Sequence, residues 1–227
     1  GEAGSGDARA PSWCVTRRPP HAVLFDLDGT LVDSVPDLTR CVNAALRAEG
    51  SPGVGEGEVR GWVGNGAARL LHRALTGRVD GVAPAVRHAA AMEVFGAHYA
   101  AEPCRDSRLY PGVAQVVAML VQHGLRLAVV TNKPQRFCGP LLAALGLGDC
   151  FACLVGGDST DRLKPDPLPV LTALSRLGID AADAVLVGDS RVDMAAGQAA
   201  GVPTVAVTYG YDPACDFVAQ GALAVLD

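Results

Sequence analysis

Residues 22–34 read AVLFDLDGTLVDS. The run Ala22-Val23-Leu24-Phe25 is unbroken apolar sequence, and it delivers Asp26 and Asp28 into a Gly29-Thr30 turn. Continuous apolar residues of this kind predict a strand buried on both faces of a parallel sheet. Such a strand has no structural reason to end in two carboxylates one residue apart. In open α/β sheets, ligands bind beyond the carboxyl ends of the strands. Alternate residues of a strand share a face, so Asp26 and Asp28 are expected to converge above the sheet. Two anions placed there repel unless a cation, a shared proton or backbone donors offset them. The pair therefore marks a site of chemistry.

Further strand-like runs lie at 126–131, 153–156, 184–188 and 203–207, separated by helix-like stretches at 112–123, 134–145, 166–177 and 191–200. This alternation predicts right-handed βαβ units and a parallel sheet covered on both faces. Gly124, Gly146, Gly178 and Gly201 each follow a helical stretch, as C-terminal glycines do, and Pro134 and Pro165 are read as helix entries. Between the first two strands, 36–49, 56–64, 66–77 and 83–101 read as helices with no strand among them. The expected architecture is α/β: a three-layer core with a parallel sheet, formed by 21–34 and 106–227, and an all-helical insertion over 35–105. An insertion at that point would sit over the carboxyl end of the sheet as a lid.

Of the 227 residues, 49% are hydrophobic and 19% charged, enough for a sizeable core, and the net charge of −5 argues against a nucleic-acid surface. No apolar stretch reaches membrane-spanning length. Residues 1–20 are polar, with no apolar segment behind their arginines, and read as a flexible leader rather than a signal peptide. A cytoplasmic protein is expected, monomeric or homodimeric. The seven cysteines are scattered over a chain too large to need staples. Cys150 and Cys153 form a lone C-x-x-C, better read as small buried thiols than as a metal or redox pair.

The other strand ends are polar as well. Strand 126–131 ends at Thr131, with Asn132 and Lys133 behind it; Lys164 follows the third strand; the fourth runs into Gly188-Asp189-Ser190, with Asp193 four residues after Asp189. Each has an ordinary explanation taken alone: Ser190 or Asp189 as a helix cap, Lys164 as a solvated loop charge. Parallel strands, however, bring all these ends to one edge. The chain holds only two lysines, Lys133 and Lys164, among 19 basic residues, and both adjoin these strand ends. A compact ammonium fits a narrow site better than the wide guanidinium fork. Clustered carboxylates with oxygen ligands only are a Mg²⁺ donor set; zinc would want His or Cys, and no histidine lies near these ends. A carboxylate nucleophile, Mg²⁺ and a lysine together suit phosphoryl transfer.

Asp26-Leu27-Asp28-Gly29-Thr30, Thr131-Asn132, Lys164-Pro165 and Gly188-Asp189-Ser190 with Asp193 resemble, in order, the four motifs of the haloacid dehalogenase-like phosphatases. The resemblance covers 22–207 and implies a Rossmann-like core with a helical cap inserted after the first strand. It casts Asp26 as nucleophile and Asp28 as general acid and base. It also casts Thr131 as a phosphate-binding hydroxyl, Lys164 as the residue steadying Asp26 and phosphate, and Asp189 as the third metal group. Asp28 would reach Mg²⁺ through its main-chain carbonyl, and Asp193 and Ser190 would support. Asn132 is expected at the substrate. Gly61–Ala67, Val32–Leu38 and Tyr209-Gly210-Tyr211 are similar to the phosphoglycolate phosphatases of this family. The turn Gly64-Asn65-Gly66 could offer N–H groups to a small carboxylate, or simply link two helices, and Trp62 reads as core. The expected partner is a small phosphorylated metabolite, 2-phosphoglycolate first. A sugar-phosphate phosphatase, a phosphomutase or a non-catalytic module of the same fold are the alternatives.

Overall fold

The computed structural model describes residues 19–227, so the leader assigned to 1–20 lies almost wholly outside the described residues. β1 (Ala22–Phe25) is flanked by β4 (Arg126–Val130) and β6 (Ala184–Gly188) in a six-stranded sheet of order β5-β4-β1-β6-β7-β8, where β5 is Cys153–Val155, β7 Thr204–Val207 and β8 Ala224–Leu226. All five pairings are parallel. The chain thus builds outward from β1 in one direction, then returns and builds in the other. The gap on either side of β1 is the topological switch point where α/β sheets bind ligands.

β1 alternates between two cores. Ala22 and Leu24 face a core shared with α7 (Leu168–Leu177) and α8 (Arg191–Ala200). Val23 and Phe25 face one shared with α5 (Val113–Gln122) and α6 (Gln135–Ala144). Both faces being dry explains why this strand carries apolar residues without alternation. α7 begins at Leu168 and not near Pro165. Pro165 and Pro167 each push the preceding residue out of helical geometry, which delays the helix.

Helices α1 (Val35–Ala48), α2 (Glu56–Arg60), α3 (Gly66–Thr76) and α4 (Ala85–Ala101) pack around a core of their own that includes Trp62, Leu71, Phe95 and Tyr99. Phe137 of α6 inserts into that core. The two connections between this bundle and the sheet are joined at Asp37. Its Oδ2 accepts from the N–H groups of Asp106 (3.0 Å) and Ser107 (2.8 Å) and from Ser107 Oγ (2.7 Å), while Arg40 donates to Oδ1. Beside them β2 (Val32–Asp33) and β3 (Arg108–Leu109) form a two-residue antiparallel ladder. Cys150 and Cys153 pack toward opposite faces of the sheet, and the six cysteines among the described residues are all free.

Candidate active site

The sheet's carboxyl edge collects the polar strand ends. β1 stops at Phe25, so Asp26 to Asp28 lie beyond regular strand geometry, although Asp26 N still donates to Val187 O at 2.9 Å. The chain then turns: Leu31 and Val32 donate back to Leu27 O, and Gly29 takes φ +93°. The two carboxylates therefore do not share one point, as strand periodicity had implied. They line the same cavity but are gripped by different lysines.

Asp26 faces Lys164, whose Nζ lies 3.0 Å from its Oδ1. The same ammonium donates to Asp193 Oδ1 at 2.6 Å and to Val130 O at 2.7 Å. Two hydrogen bonds and the ion pair with Asp26 fix its position. Burial by itself would lower the Lys164 pKa; Asp193 and Asp26 outweigh that and hold it up. Asp26 is pushed up to about 6, by burial first, with Lys164 pulling it down and Asp193 pushing it up again. Ser190 caps α8, and its Oγ donates to Asp193 Oδ2 at 2.6 Å. Ser190 and Asp193 thus hold Lys164 in place.

Asp189 sits beside them. Its Oδ1 accepts from Thr30 Oγ1 (2.8 Å) and its Oδ2 from the Tyr211 N–H (2.7 Å). Two glycines make room for it: a Cβ on Gly29 would fall 2.3 Å from Asp189 Oδ2, and one on Gly210 2.2 Å from Asp189 Cβ. Carboxylate oxygens of Asp26, Asp189 and Asp193 lie within 4.8 Å of one another. Asp189 is driven well above the ordinary carboxylate range by burial, then by the charges of Asp193 and Asp26. Three carboxylates facing one ammonium leave two negative charges without partners. An oxygen-only donor set of that charge fits a hard divalent cation such as Mg²⁺. The Asp28 side chain is not part of this cluster.

The Asp28 carboxylate is held elsewhere. Ser34 Oγ donates to Oδ1 at 2.6 Å, and Lys133 Nζ lies 3.0 and 3.1 Å from Oδ1 and Oδ2. A cavity of about 40 Å³ opens between this carboxylate and the helical bundle, lined by Asp26, Asp28, Thr131 and Lys133 on the sheet side. Lys164 and Asp189 contact Asp26 from behind that lining. Thr131 Oγ1 accepts from Lys133 N at 3.2 Å and keeps its own proton for a ligand. The Asn132 amide has none to spare. Its Nδ2 donates to Gly64 O and Lys164 O, both at 2.9 Å, and its Oδ1 accepts from Lys164 N. Its side chain joins two loops, and the residue itself lines the cavity between Thr131 and Lys133. Gly64 and Gly66 line the cavity, whereas Arg73 holds the Asn65 side chain at 2.9 Å.

Sequence reasoning missed five contributors. Thr30, Ser34 and Tyr211 stand in stretches singled out for other reasons. Lys133 stood out only as a rare lysine, and Tyr99 reads in sequence as an ordinary bundle residue.

Residues 20–201 match the model of the haloacid dehalogenase-like hydrolases. The chain belongs to the haloacid dehalogenase-like hydrolase family. It is 43% identical over 212 residues to phosphoglycolate phosphatase 1 of Pseudomonas aeruginosa, covering 92% of this chain and 77% of that protein. It is 45% identical over 209 residues to the plasmid phosphoglycolate phosphatase of Cupriavidus necator, covering 92% and 90%. The crystal structure of a predicted phosphoglycolate phosphatase from Haemophilus somnus superposes with a TM-score of 0.83 at 33% identity, over 91% of this chain and 93% of the other. This family member is a phosphatase.

Proposed function

We propose that the chain is a Mg²⁺-dependent phosphatase that hydrolyses 2-phosphoglycolate through an aspartyl-phosphate on Asp26, beneath a cap formed by residues 35–105. The observation that carries this reading is the Asp26–Lys164–Asp193 arrangement beside Asp189. It fixes an ionisable carboxylate at the floor of a cavity while leaving negative charge for a divalent ion to neutralise.

Asp26 Oδ attacks phosphorus, and the bond to the ester oxygen breaks with its electron pair leaving on that oxygen. Asp28, in its acid form, gives the leaving oxygen its proton. A water then loses a proton to the Asp28 carboxylate and attacks phosphorus, and the Asp26–phosphorus bond breaks to restore the Asp26 carboxylate. Thr131 donates to a phosphoryl oxygen, and Lys164 holds Asp26 in line. Mg²⁺ held by Asp26, the Asp28 carbonyl and Asp189 would neutralise charge developing on the phosphoryl oxygens.

The substrate assignment rests on the relatives' activity and on size. A cavity of about 40 Å³ has room for only a few water molecules, which favours a two-carbon leaving group over a sugar. Among the described residues no helix is long and apolar enough to cross a membrane, and the free thiols suit a reducing, cytoplasmic setting. The test is a panel of phosphate esters ranked by kcat/KM with Mg²⁺ present. Phosphoglycolate should lead it; a hexose phosphate in first place would overturn the substrate while leaving the chemistry.

A further inference from the structure

Lys133 is a buried ammonium that the phosphoryl-transfer steps do not use. Its side chain is 4% exposed, and among the described residues it is the only cation lining the cavity. An ammonium has three protons to donate. Two meet the Asp28 carboxylate, at 3.0 and 3.1 Å. Nothing in the described residues accepts the third: Nζ sits over the Tyr99 ring, 4.5 Å from its centroid. Tyr99 is fully buried, and its hydroxyl has no hydrogen-bond partner. The rest of the bundle side, with Leu38, Val63, Leu70 and Phe95, is apolar. Polar capacity in the cavity is thus concentrated at one point, with one spare cationic donor and one orphaned hydroxyl.

That point is placed by the chemistry. The atom Asp28 protonates must come within hydrogen-bond distance of its carboxylate, roughly 3 Å, and Lys133 holds that same carboxylate from within the same cavity lining. Whatever substituent the leaving oxygen carries is therefore delivered beside the Lys133 ammonium. In a glycolate leaving group the carboxylate is attached one carbon away from that oxygen. A substituent without an acceptor would leave the third proton buried without a partner, and a neutral acceptor would make only an ordinary hydrogen bond where a carboxylate makes a charge-assisted one.

We infer that Lys133, backed by Tyr99, is the specificity residue that recognises a carboxylate on the leaving group of the substrate. This rests on the phosphoglycolate reading above and names the group that enforces it. It also explains why one of the chain's two lysines stands here and not an arginine: a guanidinium fork would overfill a space of this size.

The experiment compares kcat/KM for 2-phosphoglycolate and for its neutral isostere, the phosphate ester of glycolamide, in the wild type and in Lys133→Met and Lys133→Gln. Using a ratio cancels any loss that comes from disturbing Asp28, because both esters need that group equally. The wild type should favour the carboxylate by roughly tenfold to a hundredfold, the worth of a charge-assisted hydrogen bond, and both variants should bring the ratio to about one. If the variants turn over too slowly, the same ratio is read as calorimetric affinity of the two esters for Asp26→Asn with and without Lys133→Gln. A preference that survives in the Lys133 variants overturns the inference and leaves the phosphoglycolate reading intact. A wild type that does not distinguish the two esters overturns that reading itself.

Discussion

Lys164 Nζ and Asp193 Oδ1 are 2.6 Å apart in a region closed to solvent, with side-chain exposures of 1% and 0%. A buried pair this close is stabilising only while both members stay; removing one charge leaves the other unpaired and costs about 3–5 kcal/mol. Asp193→Asn keeps the shape and deletes the charge. It should lower the stability measured by urea unfolding by about 2 kcal/mol or more, and it should cut kcat at least tenfold, because Lys164 then turns wholly toward Asp26. An Asp193→Asn enzyme with wild-type kcat would mean that Asp193 serves only the α8 cap.

The second prediction concerns the cation. EDTA should abolish turnover and added Mg²⁺ should restore it, with a rise in melting temperature when Mg²⁺ binds the folded protein alone. Gly210→Ala isolates the cause. Gly210 does not need a positive φ, so the added methyl strains only Asp189, which it would meet at 2.2 Å. The variant should remain folded by circular dichroism while losing the Mg²⁺-induced shift in melting temperature. A full shift in Gly210→Ala would place the ion away from Asp189.

The third follows from Asp26. Its folded-state pKa of about 6 stands above the ordinary 3.8, so between those values the folded protein binds more protons than the unfolded chain. Stability of the metal-free protein should therefore rise as pH falls from 7.5 toward 5. Mg²⁺, which favours the ionised carboxylate, should reverse that trend. Denaturant midpoints at pH 5 and 7.5, with Mg²⁺ and with EDTA, check both signs. A metal-free protein least stable at the acid end of that range would contradict the burial argument for Asp26.

Much of this was legible in residues. Every long strand of the sheet was readable because dry faces demand apolar runs, and the strand-end residues followed from the parallel topology. The two-residue ladder of β2 and β3 and the short β8 were not, since two or three residues carry no period. Asp26 and Asp28 line one cavity, yet different lysines grip them, because β1 ends at Phe25 and the chain turns beyond it. Asn132 lines the cavity, but its position in sequence does not reveal that its side-chain amide is held by Gly64 and Lys164. The pairing of Lys133 with Tyr99 depends on how the bundle lands on the sheet, which no local pattern encodes.

The fourth prediction concerns the two connections between sheet and bundle. Burial alone would raise the Asp37 pKa, but the donors from Ser107 and Asp106 outweigh it and hold it below the usual range. Asp37→Asn leaves those donors facing an amide and should cost on the order of 3 kcal/mol at pH 7. Because the folded pKa is depressed, this contribution exists above about pH 4 and is lost as pH falls through the folded value. Urea unfolding of wild type and variant should therefore converge at acid pH; an unchanged difference at pH 3 would assign the effect to packing.

The central claim is that phosphoryl passes through Asp26. Asp28→Asn should slow hydrolysis of the intermediate more than its formation from an ester with a good leaving group. Acid quench of this variant after mixing with a ³²P-labelled aryl phosphate and Mg²⁺ should then yield label on the peptide that contains Asp26. The same quench of Asp26→Asn should yield none. Product release from wild type with no labelled protein at any time, or label retained in Asp26→Asn, would contradict the account.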